Sequence, residues 1–344
     1  MSTGAVATES PARPASSARA GYAVTLGLRL LNRYSFAFAL LLTVALLATT
    51  IVRDPDPWSN GFWVGLLQNM APMALAAMAS TPAIISGGGG FDLSISPLMY
   101  FLAEVFIVWL APHSLGGFAS VPIVLGLGAA IGAFNGLLII LLRVPPVVAT
   151  LAVFFVLIGV DLRMLANPNE GGYLSPSNWV VHLADKVGPI PGGVFTLGFP
   201  LLVWFLLGLL PYRRTLYAVG SNDATAFASG VNVALVRVVA YSLGGLFAGV
   251  ASLALVAISL SANPSLSQSY TLLAIAAVAL GGTSLWGGRG GLFGSLLGAA
   301  SIYLLGNLLL TLQVDPSYLQ VMYGGMLLVA VVLGGVAARA RQAE

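Results

Sequence analysis

Read from its amino terminus, the chain alternates between long apolar runs and short polar interruptions. Ten runs approach the length of a bilayer crossing: 35–52, 61–86, 97–112, 120–142, 147–167, 194–211, 236–259, 271–285, 291–312 and 320–337. A hydrocarbon core about 30 Å thick needs roughly 20 residues of helix. The runs 97–112 and 271–285 are short and need flanking Gly, Ser or Trp to reach full depth. Leu, Ala, Val and Gly occupy all sides of each run, which fits bundled helices rather than amphipathic surface helices. No alternating barrel pattern occurs. The predicted fold class is therefore all-α and polytopic, with about ten transmembrane helices.

Composition sharpens this into a solvent argument. Of 344 residues, 58% are apolar and 7% charged, against about 25% charged in an ordinary globular chain. So few charges cannot coat a soluble particle of 35.4 kDa. The sequence contains no cysteine, which excludes disulfides, thiol chemistry and cysteine-ligated zinc.

Charge placement then gives a direction, because cytoplasmic loops retain Lys and Arg. With an inside amino terminus and ten crossings, the inside holds Arg13, Arg19, Arg29, Arg33, Arg143, Arg213, Arg214, Arg237, Arg289, Arg339 and Arg341. The outside is left with Arg53, Arg163 and Lys186. Losing one early span would scramble the later loops and destroy the asymmetry, so both termini are predicted to be cytoplasmic. Residues 1–30 read as a disordered cytoplasmic tail, 31–338 as the membrane domain and 339–344 as a second tail. A signal peptide is not expected, since the first apolar stretch starts near residue 35 and is long enough to remain as a helix. The longest outside loop, 168–193, is rich in Asn, Pro and Gly, and Tyr173, Trp179 and Val180 are candidates to anchor an interfacial piece within it.

The most informative polar stretch runs from Tyr212 to Val233. Ser221 or Asn222 is suited to cap a helix, and Asp223 sits where a helix dipole favours negative charge. Gly230 then supplies a left-handed stop. A helix of about two turns over 221–230 is expected, with Ala224, Ala226 and Ala228 permitting close approach by another protein and Phe227 offering one large apolar contact. Its alternatives are a docking element and an ordinary helical connection.

Three stretches carry a resemblance. Gly220, Asn222, Ala226, Ser229, Gly230, Val231, Asn232 and Val233 follow the coupling-loop pattern of bacterial ATP-binding-cassette permeases of the ribose/xylose/arabinose/galactose class. Residues 82–96, with Gly87–Gly90, Asp92, Ser94 and Ser96, are similar to that family's T-G-G-I-D-L-S-V-G signature. Residues 274–294 resemble its A-I-A-A-V-x-L-G-G-T-S-x-x-G-G-x-G signature, and Val144–Leu151 repeats a further family turn. The agreement runs from about residue 60 to 335, in order. An extra Gly, Phe91, Pro97 and Glu104 depart from the pattern near the expected substrate path.

The resemblance implies the membrane subunit of a monosaccharide importer in a bacterial inner membrane. It implies a partner ATPase beneath, a periplasmic sugar-binding protein above, and a second permease chain forming a homodimer or close heterodimer in the lipid. The ATPase-coupling residues would be Gly220, Ser221, Asn222, Asp223, Ala224, Ala226, Phe227, Ser229 and Gly230. ATP and Mg would reside on the partner, and no cofactor or metal is expected on this chain. A Walker A loop requires a Lys followed by Ser or Thr, and the only lysine, Lys186, stands in an outside loop. Gly287, Gly288, Gly290, Gly291 and Gly294 form no dinucleotide fingerprint and read as a tight turn with close helix packing. His113 and His182 belong to no catalytic motif, so no catalytic residue is assigned and no nucleic-acid partner is expected.

Polar groups at membrane depth are functional candidates. Asp92 and Ser94 stand at a glycine-rich break, where Asp92 either caps the next span or meets substrate. Glu104 either binds a sugar hydroxyl or makes an internal pair. Asp161 and Arg163 lie near the outer end of the fifth span, where water is available. Gln68, Asn69, Asn135, Asn307 and Gln313 suit hydroxylated cargo, or else join two helices. The translocation path is drawn from Gln68, Asn69, Asp92, Ser94, Glu104, Asn135 and Asn307. The competing function is an ion-coupled secondary transporter with Glu104 or Asp92 as its proton site, a class to which broken helices are suited.

Overall fold

A computed structural model describes residues 36–164, 173–261 and 270–315, together with 318, 321–325, 328 and 332. The two predicted tails and most of the run 320–337 lie outside the described residues. In chain order the helices are α1 (Ala37–Arg53), α2 (Asn60–Ile85), α3 (Ile95–Glu104), α4 (Ser120–Leu142), α5 (Pro146–Met164), α6 (Gly193–Leu209), α7 (Pro211–Ser221), α8 (Asp223–Ala228), α9 (Val233–Ser259), α10 (Thr271–Leu280) and α11 (Leu292–Thr311). A π-helical turn, Val105–Leu110, extends α3. The chain is an all-α, multi-pass membrane protein.

Five helices, α2, α4, α5, α9 and α11, are long and apolar enough to cross a bilayer, and the α6–α7 pair, bent by 90°, makes a sixth if counted as one span. Three further apolar helices, α1, α3 with its π turn and α10, are shorter. Among the described residues, five or six of the ten expected spans thus reach full length, beside these shorter pieces.

The centre is built on α2, α9 and α11, the most enclosed of the long helices, while α4 and α5 leave much of their surface outward. Backbone proximity, rather than large side chains, closes the α4–α9 contact. A Cβ at Gly128 or Gly132 would strike the carbonyls of Gly245 and Tyr241, and one at Gly136 would lie 2.8 Å from the Val238 Cα. Small residues at four-residue spacing allow helices this close in lipid, where apolar burial alone gives no driving force.

Helix α10, within the expected eighth span, is short. Its ten residues reach about 15 Å, half the hydrocarbon thickness. The Tyr270 amide, at its start, donates to Ser96 Oγ at 3.2 Å, and the Tyr270 and Tyr100 rings stack. Its far end abuts Gly294, at the start of α11. The preceding helix, α9, ends instead against the connection between α5 and α6, where Leu174 N donates to Leu260 O at 2.8 Å. So α10 starts partway along α3 and runs only to the arginine-rich end.

The described part of the connection between α5 and α6 forms a small cap. Trp179–Leu183 is a 3-10 turn and Lys186–Val187 pairs with Ile190–Pro191 as β1 and β2. Trp179 stacks on Phe118 and donates from Nε1 to Gly116 O at 2.8 Å, while Val180 is buried and Tyr173 stays exposed.

Candidate functional site

The three stretches that carry the family resemblance meet at one point. Gly87 follows α2, Gly220 closes α7, and Gly287 and Gly288 lie between α10 and α11. A Cβ on Gly87 would stand 2.8 Å from Gly220 O, and one on Gly220 would collide with Ile85 O and lie 2.6 Å from Gly288 N. The Gly288 amide donates to Ile85 O at 3.0 Å. Gly87, Gly287 and Gly288 have φ of +73°, +96° and +71°, a region costly for any residue bearing a Cβ. Arg237 of α9 reaches Gly88, and Arg143, which ends α4, lines a cleft with Gly87 and Gly88; Arg213 and Arg214 stand on α7 and Arg289 in the α10–α11 turn.

Two helices, rather than one capped turn, stand in the 212–233 stretch. Proline starts α7 at its first position, and the preceding Leu210 is extended (φ −95°, ψ 155°), as a residue before proline must be. That geometry turns the chain 90° out of the α6 direction. Asn222 is extended and accepts from Thr225 N at 3.0 Å, capping α8. At the other end Val231 N donates to Ala226 O and Gly230 N to Phe227 O, with Gly230 at φ +83°. This is a Schellman stop, in which a left-handed glycine lets two late amides satisfy helix carbonyls.

Phe227 is 73% exposed on α8, and Asn222, Asp223, Ala224 and Ser229 are also exposed. Ala226 is not: it is buried against the chain's own core, so its expected place on the approachable face is corrected. Gly220 likewise belongs to the glycine junction behind α8, and Ser221 Oγ donates back to Tyr217 O. Asp223 pairs with Arg237 of α9 at 3.0 Å, which ties the small helix to the next span.

Of the polar residues expected to line a path, the fold gathers three and separates the others. Asp92 Oδ1 accepts from Ser94 N and Ser94 Oγ at 2.9 and 2.6 Å, and Asn135 Nδ2 donates to Ser94 Oγ at 2.7 Å. All three side chains are buried. Burial pushes the Asp92 carboxyl above its usual range, while the Ser94 and Asn135 hydrogen bonds pull the other way. Glu104 is fully buried and its two carboxylate oxygens have no hydrogen-bond partner. Its electrostatic neighbour is Asp161, also fully buried and unpartnered. Asp161 is therefore inside the protein and not in water at the outer end of its span. Gln68 is half-buried, Asn69 is exposed and bonds its own Gly65 carbonyl, and Asn307 is half-buried on α11.

Three contributors stand outside the sequence-based site. Thr150 Oγ1 accepts from Leu93 N at 3.2 Å and pins the glycine-rich break to α5; its place in the Val144–Leu151 motif was the available signal. Arg237 and Tyr241, one turn apart on α9, line a cleft of about 280 Å³ with Ser86, Gly88 and Arg143. Nothing local in the sequence marks them.

Comparison with known proteins agrees with this geometry. The family described as "Branched-chain amino acid transport system / permease component" matches residues 62–331. The ribose import permease protein RbsC of Escherichia coli strain K12 is 33% identical over 302 residues, covering 86% of this chain and 91% of RbsC. The D-allose transport system permease protein AlsC of the same strain is 30% identical over 249 residues, covering 71% and 74%. The probable ABC transporter permease protein YphD is 33% identical over 302 residues, covering 87% and 90%. No solved structure matches the chain.

Proposed function

The chain belongs to the permease family of ATP-binding-cassette monosaccharide importers, and on that premise we propose that it carries a small neutral sugar into a bacterial cytoplasm. The energy comes from ATP bound with Mg on a separate ATPase that docks on α8, with a periplasmic sugar-binding protein delivering cargo on the opposite face. Two copies form the conduit in the inner membrane, its lumen between them, and the arginine-rich end faces the cytoplasm. The matched family's description speaks of branched-chain amino acids. The sugar reading is preferred because relatives of about a third identity across most of the chain are named for ribose and D-allose.

One observation carries the docking reading. A capped helix too short to span presents a 73% exposed Phe227, and its base rests on the junction of α2, α7 and the α10–α11 turn. Force applied at α8 therefore reaches three segments at once. Relatives named as import permeases do not favour the ion-coupled alternative, and Asp92, one of its two proposed proton sites, is already held by Ser94 and Asn135.

Replacing Ala224 by Arg or Phe227 by Ala should abolish co-purification of the ATPase, while the permease still inserts and runs as a single species in detergent. Unchanged co-purification by both variants would overturn the docking assignment.

A further inference from the structure

We propose that the cleft between the ends of α2, α4 and α9 is a phosphate-binding site at the arginine-rich membrane interface, occupied by the headgroup of an anionic phospholipid. Its walls are Ser86, Gly88, Arg143, Pro146, Arg237 and Tyr241, around about 280 Å³, room for a phosphate and part of its ester. Two independent groups point to a missing acceptor. The Tyr241 hydroxyl is buried, in a residue 1% exposed, and has no hydrogen-bond partner. The Arg237 Nε–H is buried and unpartnered as well, although its Nη2 is engaged by Asp223 at 3.0 Å. A buried donor left unmade is costly, and one acceptor in the cleft would serve both.

The arrangement suits phosphate rather than a neutral ligand. A guanidinium presents several donors in a fixed plane, so one edge can hold Asp223 while the Nε edge holds a second anion. Arg143 contributes a second guanidinium from a left-handed residue, φ +54°, that ends α4. Gly88 has no Cβ to block the Arg237 guanidinium, which would lie 2.6 Å from one. Asp92 is a carboxylate that acts electrostatically on Tyr241 and is held by Ser94 and Asn135 rather than lining the cleft.

The lipid source follows from what surrounds the cleft. Leu141, Leu142, Val147 and Val148 flank Arg143 and are all exposed, forming an apolar collar where acyl chains would lie. Basic pockets between span ends are suited to anionic headgroups. Because Arg237 also holds Asp223, the first residue of α8, an occupied cleft would fix the guanidinium that positions the small helix.

The test is native mass spectrometry of the purified full-length permease, exchanged into mixed micelles of phosphatidylglycerol or phosphatidylcholine. Phosphatidylglycerol should be retained preferentially. Retention should fall about tenfold in Tyr241→Phe and in Arg143→Gln, each removing one charge-assisted donor, and stay unchanged in Arg53→Gln at the opposite end. Inorganic phosphate added at rising concentration separates the sources: lipid retained against it supports a headgroup site, and lipid displaced by it supports a site for soluble phosphate. Equal retention of both lipids, or loss of selectivity in none of the cleft variants, overturns the proposal.

Discussion

At Gly220 a single methyl group decides whether three turns can meet. A Cβ there collides with Ile85 O and stands 2.6 Å from Gly288 N, and neither backbone atom can swing aside as a long side chain would. Gly220→Ala should destabilise the folded chain by about 1–3 kcal/mol, lowering the detergent melting temperature, and should weaken ATPase co-purification with Phe227 still in place. A melting temperature equal to wild type would mean the junction is looser than described. Asp92 makes a parallel case. Asp92→Ala leaves the Ser94 hydroxyl and amide without their acceptor, a loss of about 2–4 kcal/mol, whereas Asp92→Asn keeps one acceptor and should cost less. Thermal unfolding of the two variants side by side checks the order. The Asn222 and Gly230 caps could be read from sequence because a cap depends on neighbours a few residues away. The Glu104–Asp161 proximity could not, since it arises only when α3 packs on α5.

At the scale of elements, α8 has two separable properties, its stability and its exposed face. Asn222→Ala removes the side-chain acceptor from Thr225 N and should cost about 1 kcal/mol, read as faster local hydrogen exchange over 223–228 with ATPase binding reduced in proportion. Phe227→Ala should leave that exchange unchanged while abolishing binding. If both variants lose exchange protection equally, the phenylalanine is holding the helix together rather than meeting a partner. Apolar run length identified most of the long spans, because hydrophobicity and residue count measure the same bilayer. It overestimated α10, where an apolar half-length helix continues into the glycine turn Gly281–Gly291, and counting residues does not measure depth. It also missed α7, whose direction is set by Pro211 and the extended Leu210 rather than by any apolar pattern.

For the whole molecule, the arrangement is one of transmission. The α4–α9 contact is closed by backbone approach through glycine, and the arginine-rich end gathers α8, the glycine junction and the basic cleft. The direct test is uptake of radiolabelled ribose into proteoliposomes holding the permease, with and without the ATPase and binding protein, under ATP or an imposed proton gradient. Uptake should require ATP, both partners and an intact Phe227, and should ignore the gradient. Accumulation driven by the proton gradient with the permease alone would contradict the account.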